Sequence, residues 1–140
     1  MGRKKKHSLP FDTRGGVIVT PLRLIKSPIY QNLIPQAKVL MMLLQIHWRN
    51  DKPVDYGIRE AAEKIPCSEK TASKAFNQLQ ERGFITCMEQ SFFSSRTQSK
   101  SRGWRLEWLP YKDRPPANTW ETGLMKINAT VGNTTALAMP

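Results

Sequence analysis

The stretch Cys67–Ile85, CSEKTASKAFNQLQERGFI, decides how the chain is read. Ser68 carries a hydroxyl that can accept a free backbone N–H and so cap a helix start. The spacing beyond it predicts a helix over Glu69–Arg82, with Ala72, Ala75 or Phe76, and Leu79 on its core face. Gly83 follows where helices end in left-handed backbone. The outward face holds Lys70, Thr71, Ser73, Lys74 and Asn77, hydrogen-bonding side chains crowded near the helix start. A solvated helix face explains any one of them; the crowding needs a context to explain it.

The flanking residues supply that context. Upstream, Gly57 precedes an expected helix over Ile58–Ile65, with Ile58, Ala61, Ala62 and Ile65 inward and Pro66-Cys67 as the turn. The small pair Ala61-Ala62 lets the following helix cross closely, as two helices around a tight turn require. Val54-Asp55-Tyr56 reads as a short strand after the loop Asn50–Pro53. Downstream, the period changes to two. Ile85, Cys87 and Glu89 alternate with Phe84, Thr86 and Met88. Trp104, Leu106 and Trp108 share one face of a returning strand, with Arg105 and Glu107 on the other. The expected hairpin has a long, polar, basic tip, SFFSSRTQSKSR, where Phe92 and Phe93 fold back on the core, wedge at a groove or contact a partner.

Further upstream, Pro35 to Trp48 forms the most strongly patterned helix. Ala37, Leu40, Leu43, Leu44 and His47 lie on one face and Val39, Met42 and Ile46 on an adjacent one, so the helix is expected to be buried on two sides. Met41, Met42 and Trp48 are candidates for a dimer contact instead. Ser27-Pro28 reads as the cap and first residue of a brief helix ending near Leu33, and Val17–Thr20 as a short strand or an extended lead-in. These features divide the chain into a basic flexible arm (1–16), one folded domain (17–112) and a mostly flexible tail (113–140), with Trp120 docking back.

The chain has 140 residues and a formal net charge of +11, from 22 basic and 11 acidic side chains. The excess is clustered. Residues 1–32 hold seven basic side chains against one acidic, and residues 91–108 hold four against one. Residues 33–90 are nearly balanced, with eight against seven. A charge serving solubility alone has no reason to gather in an arm and a hairpin; a polyanionic partner gives it one. The mean hydropathy of -0.50 and a longest apolar run of six residues, Val39–Leu44, argue against a membrane span. Cys67, Cys87, His7 and His47 have no metal-ligand spacing. The acidic residues Glu60 and Glu63 sit beside Arg59 and Lys64 as ordinary surface charges. No nucleophile–base pair and no glycine-rich phosphate loop is seen, so the expectation is a protein that is not an enzyme, takes no cofactor and no inferred small-molecule ligand, and works in the cytoplasm at the nucleoid.

The major groove of duplex DNA admits one helix, whose first turns meet base edges. Asn77 suits bidentate pairing with adenine, and Lys70 or Lys74 can reach guanine or a phosphate. Ser68 and Thr71 stand at the helix N-terminus, where free N–H groups favour a phosphate. Ser73 lies on the same face. Arg96, Lys100 and Arg102 of the hairpin can reach the flanking backbone or minor groove. Arg3, Lys4, Lys5 and Lys6 have the character of a minor-groove arm, or equally of a solubility tail.

The order helix, strand, helix, turn, helix, strand, wing, strand resembles the small winged helix-turn-helix proteins of bacteria, plasmids and phages, related in pattern to the winged domains of replication initiators. Arg59-Glu60-Ala61-Ala62-Glu63, Thr71-Ala72, Ala75-Phe76, Leu79, Gly83-Phe84-Ile85 and Trp104-Arg105-Leu106 carry the resemblance, with Ser27-Pro28, Tyr30, Leu33 and Ala37–Leu40 upstream. It covers about residues 17–120. Ile34 departs from it where a serine cap is expected, and Pro66 where glycine is usual. The resemblance implies a mainly α fold with a small antiparallel sheet (α+β) and binding to double-stranded DNA. The expected role is a sequence-preferring transcriptional regulator, working as a homodimer on a two-fold site of a mobile element or its host. A replication or partition protein is the alternative, and a protein–protein adaptor on the same fold is the alternative of another class.

Overall fold

A computed structural model of the chain describes residues 9–94 and 99–122, and the side chains of all of these except residues 90–94, 99 and 100. The elements follow in the order α1 (Leu22–Lys26), α2 (Pro28–Gln31), α3 (Pro35–Ile46), β1 (Val54–Tyr56), α4 (Ile58–Lys64), α5 (Glu69–Glu81), β2 (Ile85–Ser94) and β3 (Ser99–Leu106), and residues 120–122 are helical as well. The fold is α+β, with the connectivity of a winged helix-turn-helix. Among the described residues no helix is long and apolar enough to cross a membrane.

The core forms where the apolar faces of α3, α4 and α5 meet the inner face of the sheet. Ala37, Leu40 and Leu44 of α3, Ala61 and Ala62 of α4, and Ala72, Ala75, Phe76 and Leu79 of α5 are buried together with Val54, Tyr56, Ile85, Trp104 and Leu106. Both Ala75 and Phe76 face inward. Each fully buried leucine contributes about 2 kcal/mol of transfer free energy. The alanines contribute closeness instead, because only a small side chain lets α4 and α5 approach backbone to backbone.

The sheet is antiparallel in the order β1-β3-β2. Trp104 lies at its centre, opposite Val54 on one side and Cys87 on the other. Its indole stacks on Phe76 with ring centroids 5.2 Å apart, and its Nε1 donates to the Tyr56 carbonyl at 3.1 Å. The wing strands are longer than the sequence suggested: pairing persists to Ser94–Ser99, so residues 95–98 alone separate them. Register shifts between Cys87 and Glu89 and between Glu89 and Phe92 each give β2 an extra residue, which bends and twists the wing.

Several expectations are corrected. The helix Leu22–Lys26 was not foreseen; it has no side-chain cap and no acidic residue in its first turn. Of the two readings of Val17–Thr20, a strand or an extended lead-in, the strand does not form, and Val17–Val19 are exposed. Helix α3 is buried on one side only: Val39, Met42 and Ile46 are 42%, 54% and 60% exposed. Of the three dimer-contact candidates on that helix and its end, Met41 is buried and the Trp48 Nε1 donates to the Pro110 carbonyl at 3.0 Å, so only Met42 faces outward. Gln45, which the pattern did not mark, is buried with both ends satisfied. Its Nε2 donates to the Val19 carbonyl (2.6 Å) and its Oε1 accepts from the Trp108 indole (3.2 Å). Glu107 is buried as well, accepting the Thr86 hydroxyl at 2.9 Å.

Residues 107–122 pack against the domain. The Trp120 ring is buried and stacks on Phe84 at 5.9 Å between centroids, beneath the Arg23 guanidinium at 5.6 Å. Lys112 and Asp113 adopt left-handed backbone at φ 51° and 61°. Asn50 holds them there: its carbonyl accepts the Lys112 N–H (2.6 Å), and its side-chain amide exchanges hydrogen bonds with Asp113 (2.6 and 3.0 Å).

Candidate nucleic-acid interface

Helix α5 is positioned by both of its ends. At the start, the Ser68 hydroxyl accepts the Thr71 N–H at 3.1 Å and donates to the Thr71 Oγ1 at 3.0 Å. Such a cap stabilises a helix by about 1 kcal/mol. Glu69 in the first turn adds a favourable interaction with the helix dipole. At the end, Gly83 takes φ +80° and the Phe84 N–H returns to the Leu79 carbonyl at 2.9 Å, closing the helix. A Cβ on Gly83 would lie 2.7 Å from the Thr119 carbonyl oxygen, so glycine is required here for space as well as for conformation.

Between these ends, Ala72, Ala75, Phe76 and Leu79 bury one stripe. With 3.6 residues per turn, Lys70, Lys74 and Asn77 project from the opposite side, and all three are exposed. They span about 10 Å along the axis, roughly three base steps. Ser73 is half-buried at the edge of this face. The charge is not uniform along it, because Glu81 occupies the same face one turn beyond Asn77.

The structure thus brings Lys70, Ser73, Lys74 and Asn77 together on one outward face. Ser68 and Thr71 stand at its N-terminal end, with the Ser68 hydroxyl engaged in capping. Thr71 is half-buried; its Oγ1 accepts from Ser68, which leaves its own hydroxyl proton to donate. Arg102 sits in β3 opposite Tyr56 of β1, at the base of the wing. Lys100 pairs with Phe93 near the tip. Arg96 and the run Arg3–Lys6 fall outside the described residues.

Arg59, taken from the sequence as a surface charge, adjoins this surface, and Gln78, unmarked by the sequence, braces α5 from behind. Arg59 of α4 borders a hollow shared with Ala62, Glu63, Cys67 and Glu69, so it stands beside the first turn of α5. Its ion pair with Glu63 (3.7 Å) is exposed and weak enough for a phosphate to displace. In the sequence, Arg59 and Lys64 beside Glu60 and Glu63 read as ordinary surface charges. Gln78 faces the other way: its side-chain carbonyl accepts the Ile34 N–H at 2.8 Å and caps α3 from across the domain. At the C-cap, burial lowers the Arg82 guanidinium from the usual arginine value, opposed by the charge of Glu81. Among the described residues no cluster of histidine, cysteine or acidic side chains is arranged to hold a metal ion.

No protein-family model matches the chain, and no curated protein does. Among solved structures, the heme sensor protein PefR from Streptococcus agalactiae in complex with heme is similar at 23% identity and a TM-score of 0.40, covering 81% of this chain and 70% of that one. The apo, heme-free form of PefR is similar at 23% identity and a TM-score of 0.39, covering 78% and 84%. At this level of similarity nothing of PefR's heme binding carries over to this chain.

Proposed function

We propose that the protein binds double-stranded DNA with sequence preference, inserting α5 into the major groove, and that it regulates transcription. One observation carries this reading: Lys70, Lys74 and Asn77 are held on a single exposed face, diametrically opposite the buried stripe of a helix fixed at both ends. Asn77 reads a base edge, Lys70 and Lys74 engage bases or phosphates, and Arg59, Lys100 and Arg102 anchor the flanking backbone. The basic arm Arg3–Lys6 and wing residue Arg96 add to the attraction of the duplex.

At the finer level we assign the protein to a mobile element or its host, acting at the nucleoid as a homodimer on a two-fold site. The support for this is the resemblance of the Arg59–Glu63 and Thr71–Ile85 segments to winged proteins of plasmids and phages. Because replication initiators share that pattern, a role in replication or partition is the second reading. The reading includes no catalytic step and no small-molecule ligand.

The test is affinity for duplex DNA as a function of salt, for the wild type and for a Lys70→Ala/Lys74→Ala variant. The reading requires a steep salt dependence, flattened by about two in logarithmic slope in the variant if both lysines meet phosphates. A wild type that ignores DNA at low salt, while retaining a protein partner at high salt, establishes the adaptor alternative instead.

A further inference from the structure

The outward stripe of α3 has the chemistry of an interface. Val39, Met42 and Ile46 are exposed at spacings of three and four residues, the a-d-a pattern of a coiled-coil seam. Leu22 and Ile25 project from one side of α1, away from the buried Leu24, and are 66% and 36% exposed. Ile25 and Met42 line one small cavity of about 120 Å³ together with Gln45. The Gln45 side chain in turn holds the Val19 carbonyl, which brings the 71% exposed Val19 to the same border. These six side chains expose on the order of 600 Å² of apolar surface, the upper end of what monomers leave open and most of the ~800 Å² each partner gives to a standard interface.

We propose that this face is the self-association surface of the protein, with α3 packing antiparallel against α3 of a second copy across a two-fold axis at Met42. The inference rests on the homodimer reading above and names its contact. Two features select a second copy over an unrelated partner. First, the seam is self-complementary. An antiparallel pair centred on Met42 sets Val39 of one copy against Ile46 of the other, with the two flexible methionines meeting between them. Second, two cations near the face are paired within the chain, Arg49 with Asp51 at 3.2 Å and Arg23 with Glu121 at 2.6 Å. These pairs lower the repulsion between two approaching copies of a strongly basic chain, and leave Lys26 of α1 and Lys38, set over the Tyr30 ring at 5.5 Å, as like charges at the border. None of the outward residues of α5 takes part, so both recognition helices stay uncovered.

The test is sedimentation equilibrium of the full chain without DNA. Wild type is expected to dimerise at micromolar concentration, and Met42→Glu and Met42→Lys each to raise the dimer dissociation constant about thirtyfold or more. Because residue 42 meets its own copy, an equimolar mixture of the Met42→Glu and Met42→Lys chains is expected to regain the dimer. Position 42 is exposed and both substitutions are helix-compatible, and an unchanged melting temperature of each monomeric variant confirms folding. A monomeric wild type overturns the proposal, as does a Met42→Glu chain that still dimerises or a mixture that stays monomeric. Affinity of Met42→Glu for a single half-site, measured separately, shows whether DNA binding stands when the dimer fails.

Discussion

The side-chain carbonyl of Gln78, on α5, accepts the backbone N–H of Ile34 at 2.8 Å. Ile34 is the N-cap of α3 and has no oxygen of its own to offer a free N–H. Pro35 at the first helical position needs no N–H partner. Gln78 takes the N–H of Ile34 itself from 44 residues away, and so couples the angle of α5 to the start of the central helix. Gln78→Ala is expected to cost about 1 kcal/mol in urea unfolding, the worth of a helix cap or a part-buried hydrogen bond. Gln78→Glu keeps an acceptor beside a helix N-terminus and is expected to retain most of that stability.

Gly83 carries a sharper requirement. Alanine there takes on the left-handed backbone penalty and a Cβ 2.7 Å from the Thr119 carbonyl oxygen. Gly83→Ala is expected to destabilise by about 2 kcal/mol or more, and to loosen Trp120 from Phe84. Chemical unfolding measures the first effect and tryptophan fluorescence below the transition the second.

At the turn between Tyr111 and Arg114 the expected sign reverses. Lys112 is exposed, holds φ 51° and uses its backbone N–H, not its side chain, to bind Asn50. Lys112→Gly keeps that bond and removes the left-handed penalty, so it is expected to leave stability unchanged or raise it by up to about 1 kcal/mol in thermal unfolding. A loss of more than that would mean the turn is not strained.

On DNA, Asn77 and Lys100 are expected to behave differently. Asn77→Ala is expected to cost about 1–3 kcal/mol on the preferred site and to relax discrimination at one base pair. Lys100→Ala is expected to weaken binding to all sequences and to reduce the salt slope by about one. Arg59→Ala is expected to follow Lys100. Competition titrations at several salt concentrations separate the two patterns, and identical behaviour of Asn77 and Lys100 would remove the distinction between reading and anchoring.

The helix-turn-helix and the wing were legible because their signals are local. Ser68, Gly83 and the stripe Ala72, Ala75, Phe76 and Leu79 mark α5, and the change of period after Gly83 marks the sheet. What was not legible depends on partners distant in the chain. A buried stripe and an exposed apolar stripe look the same in α3, because Val39, Met42 and Ile46 are as apolar as Leu40 and Leu44. Gln45 and Glu107 are buried because Val19, Trp108 and Thr86 satisfy them, and Gln78 matters because it takes the Ile34 N–H from across the domain. Helix α1 is five residues long with no cap, too short for periodicity to register. For the candidate site, the positions of Lys70, Lys74 and Asn77 followed from helical spacing alone, whereas Arg59 gained meaning only once α4 was seen beside the first turn of α5.

The most direct measurement is selection of bound sequences from a random duplex pool at near-physiological salt, followed by salt titration of the winner. The account requires an enriched motif with a steep salt slope, lost at one position in Asn77→Ala. Steep salt dependence without any enriched motif would contradict a base-reading face on α5 and leave an electrostatic binder. No binding at all would contradict the account at its root.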